Sequence, residues 1–344
     1  MGDPENENDE GRRNSIFDKV KSVNTIHIND IQKAQKIAIK EILNTPLVKL
    51  HHNVPGKEIY LKLENLQPPG SFKVRGAYNA IKNLDHSKCR SIAGASSGNF
   101  ALELAWAARE CGFRCNTYCP DDSVAKNKVD AIRELGAEIN KVTRAEWLRI
   151  LKSGKVENSS PSEEFIHVCC NYDVIAGNGV IGLEIAEQLE DFNTVICPWG
   201  GGSNTLGIAS ALKHIRPKVK VYACEVDVAA PLHTSLKADK PSVVKDWKLT
   251  FVDGLGGKYL FPCLWNMIQN LVHESVLVDK EAICNATRLL AAKNNLITEV
   301  AGAVPLAAAL SDNIPPGKIV CIVSGGNIDV EKFVKILNYE IPIP

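Results

Sequence analysis

The chain has 344 residues, 40 basic and 40 acidic side chains, and an apolar share of 45%. Balanced charge gives no bulk attraction to nucleic acid or an anionic membrane. No run approaches the roughly 18 consecutive apolar residues needed to span a bilayer. The opening MGDPENENDE is acidic and polar, the reverse of a secretory or transit leader. The 11 cysteines are odd in number and dispersed, as expected of reduced thiols in a cytoplasmic protein. Cys111, Cys115 and Cys119 are evenly spaced, but no CxxC pair or nearby histidine completes a tetrahedral set, so free thiols are expected rather than zinc.

Residues 1–28 are charged and poor in apolar side chains, which predicts a disordered tail. Beyond them, short β-branched or apolar runs (EIYLKLE, RSIAGA, FRCNTYC, TVICPW, VKVYACE, KIVCIVS) alternate with longer segments of helical apolar spacing. Among the latter are NFALELAWAARECG, VAKNKVDAIRELGAE, NTLGIASALKHI and KEAICNATRLLAAKNN. This rhythm predicts an α/β protein with a parallel sheet and helices on both faces. The polar, turn-rich segment GKVENSSPSEE at 154–164 is the candidate hinge.

Several loops after predicted strands carry chemistry. The first is Gly70-Ser71-Phe72-Lys73-Val74-Arg75, where a lysine at a helix start, partly desolvated and beside Arg75, is disposed to become a neutral amine and form a Schiff base. The second, Ala95-Ser96-Ser97-Gly98-Asn99, offers hydroxyls, an amide and free N–H groups to an anion. Next, Gly177 to Gly182 spell GxGxxG, yet no ribose-binding acid ends the following strand, so a tight glycine entry into a helix is the better reading. Gly200-Gly201-Gly202-Ser203-Asn204 then follows TVICPW and opens a helix. That is a phosphate cradle without the Walker lysine. Last, Ser324-Gly325-Gly326-Asn327 places one hydroxyl at a strand's carboxyl end. A lysine, a phosphate cradle, an anion loop and a hydroxyl are what a pyridoxal phosphate site requires.

Taken in order, SFKVRGAYNAI, ASSGN, GGGSN and SGGNID resemble the threonine dehydratase and serine racemase family of fold type II pyridoxal phosphate enzymes. The resemblance runs from about Asn29 to the end and includes Thr45-Pro46-Leu47, KNKVDAIRELGAE, DGLGGK and EVAGAVPLAAAL. Arg75-Gly76-Ala77 separates the chain from the cysteine synthase branch. The resemblance implies a tryptophan synthase β-like fold with two open, twisted, mostly parallel sheets flanked by helices. It divides the chain into a large domain (29–90 and 167–344) and a small mobile domain (91–166), and implies a homodimer.

By the same resemblance, Lys73 would hold pyridoxal 5'-phosphate and act as base on one face of a small amino-acid substrate, with Phe72 beside the ring. Asn99 would meet the ring hydroxyl, Gly200, Gly201, Gly202, Ser203 and Asn204 the phosphate, and Ser324 the pyridine nitrogen. Ser96, Ser97 and Asn99 would receive the substrate carboxylate. The implied reaction is α,β-elimination from a β-hydroxy amino acid such as threonine or serine, giving a 2-keto acid and ammonia. Ser97 also matches the second-face acid/base of the family's racemases, so a racemase is the alternative, with a silent cofactor- or amino-acid-binding protein, or a β-replacement enzyme, as further alternatives.

Some residues depart from the pattern. Phe100 replaces a histidine and is expected to reshape the substrate pocket. Ser203 replaces a fourth glycine, and Trp199 is bulky beside the phosphate. Glu225 is a weak candidate for the family's cation site, because Pro231 stands where a second acid is expected and Asp227 is only a substitute. A solvated strand-end acid without metal is the expected role of Glu225.

Overall fold

The computed structural model describes residues 17–96, 98–121 and 126–344. After helices α1 (Asp18–Lys21) and α2 (Ile28–Ala38) come strands β1 (Leu47–Lys49) and β2 (Lys57–Leu63), then α3 (Lys73–Lys82). A second group follows: β3 (Ser91–Ala95), α4 (Asn99–Cys111), β4 (Arg114–Pro120), α5 (Lys126–Glu134), β5 (Glu138–Val142), α6 (Arg144–Ser153) and β6 (Glu163–Phe165). The chain continues through α7 (Tyr172–Gln188), β7 (Thr194–Pro198), α8 (Ser203–Ile215), β8 (Lys220–Val226) and α9 (Pro231–Ala238). It ends with α10 (Trp265–Leu271), β9 (Glu274–Val278), α11 (Lys280–Asn294), α12 (Val300–Leu310), β10 (Gly317–Val323) and α13 (Val330–Leu337).

Two sheets result, in the orders β1-β2-β10-β7-β8-β9 and β5-β4-β3-β6. Every pairing between named strands is parallel except β1 with β2. The uninterrupted burial of TVICP in β7 and SIAGA in β3 reflects helices covering both faces, which removes the in–out alternation of a one-sided sheet. No helix among the described residues is long and apolar enough to cross a membrane. The 11 cysteines are free, and no group of three or more metal-ligating side chains occurs among the described residues.

Two expectations from the sequence need correction, and the candidate hinge can be placed. Phe17 onward is folded rather than tail: Val20 and Ile26 are fully buried, and Phe17 packs edge-on to His167 at 5.4 Å. Low apolar content hid these few anchors. The GxGxxG motif is in the middle of α7, not at a helix entry. Its glycines let neighbouring helices approach: a Cβ on Gly177 would lie 2.5 Å from the Arg75 carbonyl of α3, and one on Gly182 would lie 2.9 Å from Ala211 of α8. The polar segment 154–164 connects α6 to β6 at the amino ends of the second sheet's strands, where Ser162 accepts the backbone N–H of Arg90 at 2.8 Å. That is the opposite end of β3 from Asn99.

Candidate functional site

β10 lies between β2 and β7, and the carboxyl ends of these three neighbours bring three motifs together. From β2 a short 3-10 turn (Glu64–Leu66) leads to the lysine turn. Gly70, at φ +92°, turns the chain beneath Asn327, whose amide leaves no room for a side chain. The turn is stitched to the loop after β10: Phe72 donates its N–H to the Ser324 carbonyl at 3.0 Å, and Gly326 donates to the Gly70 carbonyl at 2.8 Å. Lys73 therefore opens α3 beside Ser324, which is buried. The Lys73 amine is half-buried, 4.6 Å from the centre of the Phe72 ring.

The third motif follows β7. Gly202 takes φ +94° as N-cap of α8 and supplies no side-chain cap, so the helix's first N–H groups and partial positive charge are left for an anion. Glycine is obligatory here. A side chain on Gly200 would collide with the Gly254 carbonyl, one on Gly201 with the Cys169 thiol, and one on Gly202 would come within 2.6 Å of the Trp199 ring. Trp199 is thus packed against the cradle and buried. Ser203 is also buried, while the buried Asn204 amide and Thr205 hydroxyl find no partner among the described residues. Burial pushes Cys169 up to about 12, with Lys73 opposing, which places thiol, cradle and lysine in one neighbourhood.

β3 of the other sheet contributes from across. Ser96 accepts the Gly98 N–H at 3.2 Å, and Asn99, first residue of α4, donates its amide to Glu299 at 2.6 Å. Glu299 is N-cap of α12 and donates its backbone N–H to the Gly325 carbonyl at 2.9 Å, linking the Asn99 and Ser324 loops. Ser97 lies outside the described residues. Lys73, Phe72, Asn99, Ser324 and the cradle are assembled, and Glu299, Glu103 and Cys169 join them unanticipated. Glu103 was legible only as the residue one helical turn after Asn99; Glu299 opened the EVAGAVPLAAAL motif without a role assigned to it, and Cys169 was read only as a free thiol.

Three other sequence expectations change. Arg75 does not act on Lys73. Its guanidinium turns away to Glu64 at 2.7 Å and Glu184 at 2.7 Å, and Glu184 also binds Lys62 at 2.6 Å. Burial works to raise Glu64, but the Arg75 and Lys62 charges overcome it and hold it below the ordinary carboxylate range. Phe100 is 1% exposed in a core with Leu104, Ile92 and Ile166, so it lies on the buried face of α4 rather than lining an open pocket. Glu225 is fully buried, not solvated. Its carboxylate caps α9, accepting the N–H of Leu232 at 2.9 Å, that of His233 at 2.8 Å, and the Ser275 hydroxyl at 2.7 Å. Pro231 starts that helix and Asp227 is exposed.

The residues present fit pyridoxal phosphate: an amine without hydrogen bond or ion pair among the described residues, an uncapped glycine cradle, orphaned polar atoms at Asn204 and Thr205, and a hydroxyl at a strand end. The sequence profile of the family described as pyridoxal-phosphate dependent enzyme matches residues 39–325. The chain belongs to this family. It is 35% identical to the L-threonine ammonia-lyase of Thermotoga maritima, over 91% of this chain and 78% of the relative. It is 33% identical to serine racemase of Dictyostelium discoideum, over 91% of this chain and 98% of the relative. The solved structure of maize serine racemase superposes with a TM-score of 0.83 at 28% identity, covering 92% of this chain and 98% of that one. The protein is a pyridoxal-phosphate dependent enzyme of fold type II.

Proposed function

We propose that this enzyme is an ammonia-lyase that eliminates the β-substituent of a small β-hydroxy amino acid such as threonine or serine, giving a 2-keto acid and ammonia. The observation that carries the proposal is the half-buried Lys73 amine, unpaired among the described residues where the loops after β2 and β10 are hydrogen-bonded together. Bound there, pyridoxal phosphate supplies an electron sink for the substrate's α-carbon. Lys73 would hold the cofactor through Nζ and would take the substrate's α-proton at the same atom. Gly200, Gly201, Gly202, Ser203 and Asn204 would bind the phosphate, and Phe72 and Asn99 would hold the ring. Ser324 would meet the ring nitrogen with a neutral hydroxyl instead of a carboxylate, supplying no stabilising negative charge there, which would favour prompt loss of a β-substituent. Ser96, Ser97 and Asn99 hold the substrate carboxylate.

A racemase is the second reading, favoured by relatives named serine racemase. It would use Ser97 as acid/base on the face opposite Lys73. In this proposal residues 91–166 form a small domain that closes on substrate over a large domain built from 29–90 and 167–344, in a cytoplasmic homodimer. Proton NMR in heavy water with L-serine and L-threonine tests the function. Keto acid is the expected product. Deuterium exchange at Cα without keto acid, with D-amino acid accumulating, would replace the lyase with the racemase.

A further inference from the structure

Glu103 lies one helical turn after Asn99 on α4, on the same side of the helix. Its carboxyl is fully buried. Oε1 accepts a hydrogen bond from Ser71 Oγ at 2.6 Å, while Oε2 has no partner among the described residues. Ser71 Oγ in turn accepts the backbone N–H of Lys73 at 3.4 Å, so the carboxyl reaches the lysine turn through one hydroxyl. A buried carboxylate with an unmatched oxygen is costly as an anion. Burial pushes Glu103 up to about 8, with Lys73 pulling it down and Glu299 pushing it further up.

Among the described side chains of the elements packed against α4, the other charged or titratable groups have surroundings of their own. Arg75 faces Glu64 and Glu184. At the far end of α3, Lys82 lies over the Tyr78 ring at 5.4 Å. The β4 thiols Cys115 and Cys119 are pushed up by burial, as is the Tyr118 phenol. Asp130, Arg133 and Glu134 of α5 are exposed, and the SIAGA strand β3 carries nothing ionisable.

We propose that Glu103 is a positioning residue whose protonation is coupled to the charge on Lys73: in the pH range where its carboxyl titrates, it takes up a proton as Lys73 loses its positive charge and releases it as Lys73 regains that charge. This rests on Lys73 being the group that exchanges a proton during the reaction. One N–H bond breaks as one O–H bond forms, with solvent carrying the proton and no other reactant needed. The pair then changes its net charge less than either group would alone, which eases each proton transfer at Lys73.

The test is an infrared titration of the carbonyl band of the protonated Glu103 carboxyl in the full-length protein. The band is assigned by its loss in Glu103→Gln or, should that variant not fold, by its altered isotope shift in Glu103→Asp grown with labelled glutamate. In Lys73→Met the midpoint is expected to rise by about 1 pH unit or more, whereas Lys73→Arg, which keeps the charge, leaves it near the wild-type position. A midpoint indifferent to Lys73→Met overturns the proposal. In the cofactor-loaded enzyme, Glu103→Gln is expected to displace the pH profile of kcat with KM little changed, and a profile superimposable on wild type also overturns it. A wild-type enzyme inert toward every β-substituted amino acid would sink the lyase reading, while the infrared titration would still decide Glu103.

Discussion

Lys73 and Arg75 are two residues apart on α3 and leave the helix on opposite sides. On the Arg75 side, two cations (Arg75, Lys62) meet two anions (Glu64, Glu184), and Thr45 closes the remaining edge by donating its hydroxyl to Glu64 at 2.6 Å. On the Lys73 side, the amine has no ion pair among the described residues, Glu103 keeps one oxygen unmatched, and Asn204 and Thr205 are orphaned. Desolvating charge is costly unless it is paired, so the saturated side can only hold structure, whereas the unsaturated side retains bonding capacity for a ligand. One helix anchors itself with the first group and presents chemistry with the second.

Breaking the open side should abolish chemistry and spare the fold. Lys73→Ala is expected to lose at least about 10⁴-fold in turnover, together with the visible absorbance of the bound cofactor, while unfolding stability changes by about 1 kcal/mol or less. Paired steady-state assays and denaturant melts would show whether the two effects separate. Breaking the closed side should do the reverse. Glu184→Ala leaves Arg75 and Lys62 with one buried carboxylate between them and should cost about 3–5 kcal/mol of stability, read from urea unfolding. A smaller loss would mean that solvent reaches the network.

A buried carboxylate used as a helix cap is an intermediate case. Burial pushes Glu225 up to about 7 from the ordinary 4.5, while Ser275, Leu232 and His233 oppose this. The folded protein therefore holds that proton more tightly than the unfolded chain. The associated stability is present in full below pH 4.5 and is lost as pH rises through about 7. Its size is of order 3 kcal/mol. Glu225→Gln should flatten this part of the stability-versus-pH curve. An unchanged slope would assign the pH dependence to other groups, Glu103 first among them. The smallest effect expected is steric: Gly177→Ala drives a methyl to within 2.5 Å of the Arg75 carbonyl. It should cost about 1–3 kcal/mol by pushing α7 from α3, measurable as a lowered Tm.

What the sequence determined by itself was local. Strand runs such as TVICPW and KIVCIVS, the helix starts after glycine turns, and the lysine, cradle and serine loops could be read because each depends on a few adjacent residues and their backbone geometry. The GxGxxG run of α7 misled because glycine serves both a turn and a close helix contact, and only a neighbouring helix tells them apart. Tertiary structure alone decided the rest. The strand order places β10 between β2 and β7 and so gathers residues from distant parts of the chain. It turned Arg75 toward Glu64 and Glu184, put Phe100 on the buried face of α4, made Glu225 a helix cap, and set Glu103 near Lys73 and Glu299 on Asn99. Burial and charge pairing are properties of neighbours across the fold, and a linear sequence does not specify which neighbours a side chain will meet.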